Sequence, residues 1–108
     1  MSDELMSLVA ERFRALGEPA RLRILELLRS GERPVGDIAR ETELGTANVS
    51  KHLGLLHRLG FVARRKDGIY VHYRLADDHV FRLCDLMCGK VEIDARRKVE
   101  ALLGEAEA

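Results

Sequence analysis

Three groups of residues in this chain carry reactive or ligand-binding side chains at regular spacing. Cys84 and Cys88 stand four apart in LCDLMC, which on a helix places both on one face with Cβ atoms roughly 6 Å apart. That exceeds the ~3.8 Å between Cβ atoms of a disulfide. Suitable rotamers can still bring the sulfurs to about 3.8 Å, the separation of two thiolates bound tetrahedrally to one ion through ~2.3 Å bonds. Such a pair suits a soft ion such as As(III), with a third ligand or water completing the shell. The bland alternative is that both thiols are small apolar core groups beside Phe81 and Val91.

The second group lies in GTANVSKHLGLLHRLGFV, residues 45–62, where Asn48, Lys51 and His52 have nothing obvious to pack against and, with Thr46, Ala47 and Ser50, are candidates for contacting DNA. Asn pairs with the edge of adenine and Lys with that of guanine, so the stretch has the chemistry of a base reader. The third is Arg64-Arg65-Lys66, three cations suited to phosphate oxygens or a minor groove.

Hydrophobic periodicity defines the elements that hold these groups. Leu5, Leu8, Val9, Phe13 and Leu16 predict a first helix over 4–16, ended by Gly17. Glu18-Pro19 starts a second, with Pro at the favoured first position and Leu22, Ile24, Leu25, Leu27 and Leu28 buried until Ser30-Gly31. Residues 31–34 read as a loop. A short third helix runs from Val35 to Thr42 with Val35, Ile38 and Ala39 inward, then a turn at Leu44-Gly45, and Thr46 is placed to cap a fourth helix. There Val49, Leu53, Leu56 and Leu59 or Gly60 share one face, leaving Ala47, Asn48, Lys51 and His52 largely on the other.

After Gly60 the period changes from helix to strand. Residues 61–66 and 69–75 read as two strands joined around Lys66-Asp67-Gly68, since Asp-Gly is a hairpin signal. Helical periodicity returns over 77–103, with Val80, Phe81, Leu83, Cys84, Met87, Cys88 and Val91 as an apolar stripe. The expected fold is mainly α with a small β-hairpin: four helices, two strands and a long last helix in one domain spanning 1–108. Its helix-turn-helix occupies 35–59 and its hairpin, or wing, 61–75.

Composition limits what the domain can do. The chain has 108 residues, 46% of them hydrophobic, enough for one modest core that gains by pairing with a second copy. Net charge is zero, yet residues 33–75 hold eight Lys/Arg against four Asp/Glu, together with His52, His57 and His72. The basic excess is confined to the segment that carries the reading chemistry. No run of about 18 apolar residues is present to span a bilayer, and MSDELMS is unlike a secretory signal. A cytoplasmic location without membrane association is therefore expected, with both cysteines reduced.

A polar helix face is most often only a solvated face. Here it follows a tight turn and precedes a basic hairpin, and a major groove about 12 Å wide accepts one such helix. The chain accordingly resembles the ArsR/SmtB family of bacterial winged-helix repressors from about Phe13 to Val91. The resemblance is carried by FRALGEPARLRILELL, DIARETELGTANVSKHLGLLHRLGFVARRKDG and IYVHYRLADDHV. It implies a homodimer built from the first and last helices, which binds double-stranded operator DNA through two copies of the helix beginning at Thr46. It also implies release by a metal, metalloid or oxidant.

Carried over residue by residue, the resemblance removes two effector sites. The arsenic and cadmium sensors that hold a cysteine pair in the first helix of the motif are not matched by VGDIARE, residues 35–41, which has no cysteine. Zinc-type sensors use Asp-x-His at the start of the last helix, met by Asp77 and His79, but the completing His-x-x-His falls on Lys90 and Ile93. Cys84 and Cys88 remain, with As(III) or another soft ion as an inducer and no cofactor needed for folding. An enzyme is not expected: there is no Gly-rich phosphate loop, no nucleophile elbow and no carboxylate pair on a pocket wall. The rival readings are a winged-helix regulator without a metal site, and a protein-interaction module on the same fold.

Overall fold

The protein is described by a computed structural model covering residues 1–107. The chain divides into two compact units, Met1–Asp77 and the segment from Asp78 onward. The first holds α1 (Asp3–Leu16), α2 (Pro19–Leu28), β1 (Arg33–Pro34), α3 (Val35–Thr42), α4 (Thr46–Arg58), β2 (Val62–Asp67) and β3 (Tyr70–Leu75), and the second is α5 (His79–Glu107). Among the described residues, no helix is long and apolar enough to cross a membrane.

The first unit is organised around α2, α3 and α4. Ile24 and Leu28 of α2, Ile38 of α3, and Val49, Leu53 and Leu56 of α4 are buried at the helical steps expected of one inward face per helix. Each such aliphatic side chain contributes about 1.5–3 kcal/mol through its burial. Thr42, the one polar residue of this core among the described residues, is satisfied because its Oγ1 donates to the Ile38 carbonyl at 2.6 Å. Leu22, expected inside, is 40% exposed. It lies two positions before Ile24, some 200° around the helix, so one inward face cannot take both.

Local signals fix the ends of these helices. Ser2 caps α1 by accepting from the Leu5 N–H at 3.1 Å, and the Glu18 carboxylate caps α2 by accepting from Ala20 N–H at 3.2 Å with Pro19 following it. The α3–α4 turn departs from expectation. Glu43 adopts a left-handed conformation with φ 60°, Gly45 occupies the N-cap, and no side chain caps α4. Thr46 is the first helical residue rather than the cap, because Glu43 reverses the chain one residue earlier than the Leu44-Gly45 pair suggests. At its far end α4 closes in a Schellman motif. Phe61 N–H donates to the Leu56 carbonyl at 2.9 Å, Gly60 N–H donates to that of His57 at 3.1 Å, and Gly60 takes φ 84°.

The expected hairpin is part of a three-stranded antiparallel sheet in the order β1-β3-β2. Residues 31–34, read as a loop, contribute the extra strand: Arg33 pairs with Tyr73 and Pro34 with His72. Two residues show no alternation, and Pro34 is tolerated because β1 lies at the sheet edge. In the hairpin Asp67 pairs with Tyr70, so the turn is Gly68-Ile69, one residue beyond the expected place, with Gly68 at φ 61°. A positive φ at the first central position is the requirement of a type II′ turn, which Gly meets without strain.

The second unit begins and ends later than the predicted 77–103 helix. Asp77 and Asp78 precede it, with the Asp78 carboxylate 3.3 Å from Arg82 Nε. At the other end Gly104 does not stop it, since one glycine costs only about 1 kcal/mol within a run of good helix formers. Of the expected stripe, Phe81, Leu83 and Cys84 are half-buried, whereas Met87, Cys88 and Val91 are exposed.

Candidate nucleic-acid interface

The buried face of α4 determines what its other face presents. With Val49, Leu53 and Leu56 inward, Thr46, Ala47, Asn48, Ser50, Lys51 and Gly54 are exposed, and His52 is half-buried at the border. Asn48, Lys51, His52, Leu55 and Arg58 line a shallow groove together with Arg21 from the first turn of α2. Of the six α4 residues singled out in the sequence, Asn48, Ser50, Lys51 and His52 line this groove, whereas Thr46 and Ala47 are exposed outside it. The structure adds two cations, Arg58 and Arg21. Arg58 was legible, since it stands seven residues after Lys51 on the same helical stripe; Arg21 was not.

The run Arg64-Arg65-Lys66 is divided by strand alternation. Arg64 lies opposite Tyr73 and Lys66 opposite Val71 on one face of the sheet, whereas Arg65 lies opposite His72 on the other. Arg64 and Lys66 are exposed and, among the described residues, make no ion pair. Arg65 is engaged internally: its Nε and Nη2 donate to Glu32 Oε1 at 3.0 and 2.7 Å, with Nε also 3.2 Å from Oε2. The Arg65 hydrogen bonds hold the Glu32 carboxyl below the usual carboxylate range, and the same contact raises the Arg65 pKa. His72 stands 4.0 Å from both Glu32 and Asp67, closing a polar cluster that ties the hairpin to the chain entering β1. The expected phosphate contact by Arg65 therefore competes with a bidentate partner 33 residues away.

Ion pairing sharpens the charge segregation. In residues 33–75, Arg33 pairs with Glu41, Arg40 with Asp37, and Asp67 lies near Arg65 and His72. Among the described residues of this segment, the cations Lys51, Arg58, Arg64, Lys66 and Arg74 and the anion Glu43 make no ion pair, although Arg74 lies within electrostatic reach of Glu32. Local acids neutralise the rest, so the uncompensated positive charge falls on α4 and the hairpin.

On α5, Cys84 is half-buried and Cys88 exposed, and neither is in a disulfide. Among the described residues, no group of three or more His, Cys, Asp or Glu is placed to hold a metal ion. Two thiols four residues apart on one helix could supply two donors to a soft ion. Lys90, at a position where zinc-type sensors place a ligand, is bound to Asp94 at 2.7 Å.

A tri-helical core, a second helix presenting uncompensated cations after a tight turn, and a basic hairpin define a winged helix-turn-helix protein of the DNA-binding class. The sequence matches the family of bacterial regulatory proteins described as the arsR family over residues 18–64. It is 42% identical over 83 residues to the uncharacterized HTH-type transcriptional regulator Rv0081 of Mycobacterium tuberculosis, spanning 76% of this chain and 73% of that one. The crystal structure of Rv0081 superposes with a TM-score of 0.82 at 36% identity, covering 91% of this chain and 99% of the other. A homodimeric winged helix-turn-helix DNA-binding domain from Mycobacterium bovis aligns with a TM-score of 0.75 at 36% identity, covering 85% and 88%. A cadmium resistance regulatory protein, the CadC homolog of Staphylococcus aureus, is 42% identical over 78 residues, or 71% of this chain and 64% of that one. The chain belongs to the ArsR family of transcriptional regulators and is not an enzyme.

Proposed function

We propose that the chain is a homodimeric repressor in the cytoplasm that binds operator DNA through Asn48, Lys51 and their neighbours on α4, with Arg64 and Lys66 on flanking phosphates. The observation that carries this reading is the concentration of uncompensated cations on α4 and the hairpin. Specific readout comes from Asn48 and Lys51, whose base contacts are each worth roughly 1–3 kcal/mol.

Apolar surface that a single chain leaves open supports dimerisation. On α1, Leu5, Leu8 and Phe13 are about half exposed, at 49%, 52% and 54%, and on α5 Leu86, Met87, Val91, Val99, Leu102 and Leu103 are exposed. Exposed apolar side chains in such number on each helix favour an interface. Pairing α1 and α5 with those of a second copy covers it and makes the whole chain one functional domain. The two α4 helices then stand about one turn of DNA, near 34 Å, apart. The homodimeric state of the Mycobacterium bovis relative supports this arrangement.

The inducer is a thiophilic metal or metalloid, of the arsenic type, or an oxidant, acting at Cys84 and Cys88. Drawing two sulfurs on α5 together shifts a helix that sets the spacing of both reading heads. Coupling of this kind amounts to about 1–3 kcal/mol, a roughly 5- to 150-fold loss of operator affinity. A relative named for cadmium resistance supports a soft ion. The test is titration of As(III), Cd(II), Zn(II) and a mild oxidant against the DNA complex, with wild type and with Cys84→Ser/Cys88→Ser. Release of wild type alone supports the site; an identical response of both proteins, or of neither, removes it.

A further inference from the structure

Arg21 joins two elements that are far apart in sequence. Its Nε donates to the Ala15 carbonyl in the last turn of α1 at 2.6 Å, and its Nη1 lies 3.2 Å from His52 Nδ1 on α4. A guanidinium has five N–H donors and no acceptor, so in the Arg21–His52 bond the imidazole nitrogen must accept. Nδ1 therefore carries the lone pair, and the neutral ring carries its proton on Nε2. That second nitrogen makes no hydrogen bond among the described residues, and it is not among the buried unpartnered atoms, so it is open to solvent. His52 also lines the groove that contains Asn48 and Lys51.

We propose that Arg21 is a positioning residue for DNA recognition: it fixes His52 as the Nε2–H tautomer, so that the ring presents a hydrogen-bond donor to an acceptor of the bound duplex. The proposal rests on α4 being the reading element. The acceptor is a phosphate oxygen or a purine N7 or O6, all of which take an N–H donor and none of which tolerates a second lone pair. Without the clamp the ring samples both tautomers and rotates, so part of the population offers a lone pair where the DNA offers another. Two anchors hold the guanidinium in place, and because one of them is the end of α1, the setting of His52 is tied to that helix.

The readout that needs no DNA is the imidazole of His52 in long-range nitrogen–proton correlation spectra. Wild type should show a protonated Nε2 and an unprotonated Nδ1, and Arg21→Lys, which cannot span both acceptors, should show a tautomer mixture. An Nδ1–H ring in wild type, or an unchanged ring in the variant, overturns the proposal. The functional arm uses a duplex selected from a random-sequence pool by the wild-type chain. Arg21→Lys and Arg21→Gln should each weaken binding roughly 5- to 30-fold, and neither should weaken it further once His52 is Ala. If Arg21 instead contacts a phosphate itself, its loss adds to that of His52 and lowers the salt slope by about one, which contradicts the clamp. Substituting the purines of the selected site with 7-deaza analogues separates a base acceptor from a phosphate. Lys51→Ala and Asn48→Ala distinguish the two levels of failure. If they weaken binding while Arg21 and His52 act additively, only the clamp is wrong; if they leave affinity unchanged, α4 is not the reader and the clamp falls with it.

Discussion

Helices α4 and α5 are both amphipathic, yet they resolve their two faces in different ways. In α4 the apolar face is used up within its own unit, where Val49, Leu53 and Leu56 have no exposed surface, and the polar face is left to act. In α5 the described residues from Asp85 onward are exposed except for half-buried Gly89, and many of them are apolar. A helix whose apolar face is satisfied advertises function on its polar face. A helix whose apolar face stays open advertises an interface, and its role is complete only with another chain.

The contrast is broken most forcefully in the core. Leu53→Ala removes a fully buried side chain and should lower unfolding free energy by about 2–5 kcal/mol. Leu102→Ala on α5, at a position 58% exposed, should change the unfolding of dilute monomer by no more than about 0.5 kcal/mol. In denaturant titrations the α5 variant should instead shift the concentration dependence of dimerisation. Equal losses for both in dilute monomer would mean that α5 is satisfied within one chain.

A smaller effect sharpens how α4 ends. Gly60→Ala forces a Cβ into φ 84°, and since the site is otherwise open, the cost is backbone strain of roughly 1–2 kcal/mol. A thermal melt reads it, and an unchanged midpoint would show that the Schellman turn can relax.

The smallest effect concerns the hairpin. Glu32 has its pKa lowered by Arg65, so the pair contributes stability that is fully present above the ordinary carboxylate range and is lost as pH falls through the lowered value. Glu32→Gln should remove that part of the acid dependence by lowering stability slightly above the carboxylate range, where the pair is charged, while leaving stability at acid pH little changed. A variant with the wild-type acid profile would show that the pair does not hold the hairpin.

How much of this was legible in the sequence depends on the distance over which each contact acts. The helices α1 to α4 follow from a 3.6-residue apolar period punctuated by Gly17, Pro19 and Gly31, and the exposed set on α4 follows from its buried set. The α3–α4 turn was misread because Glu43, a residue that does not announce a left-handed conformation, takes one. Strand β1 was invisible since two residues have no period. The division of Arg64, Arg65 and Lys66 between sheet faces was available from alternation alone. The partners were not: Glu32 lies 33 residues from Arg65 and Arg21 lies 31 from His52, and no local pattern links such pairs.

The central claim is that the polar face of α4 reads duplex DNA, and the affinity of Lys51→Ala for a duplex selected by wild type, measured across a salt series, tests it most directly. Lys51 is exposed and, among the described residues, makes no ion pair, so its loss should leave the fold intact. The account predicts that wild-type affinity falls steeply with salt and that the folded variant binds the selected duplex weaker by about 1–3 kcal/mol. A folded variant with wild-type affinity at every salt concentration would contradict it.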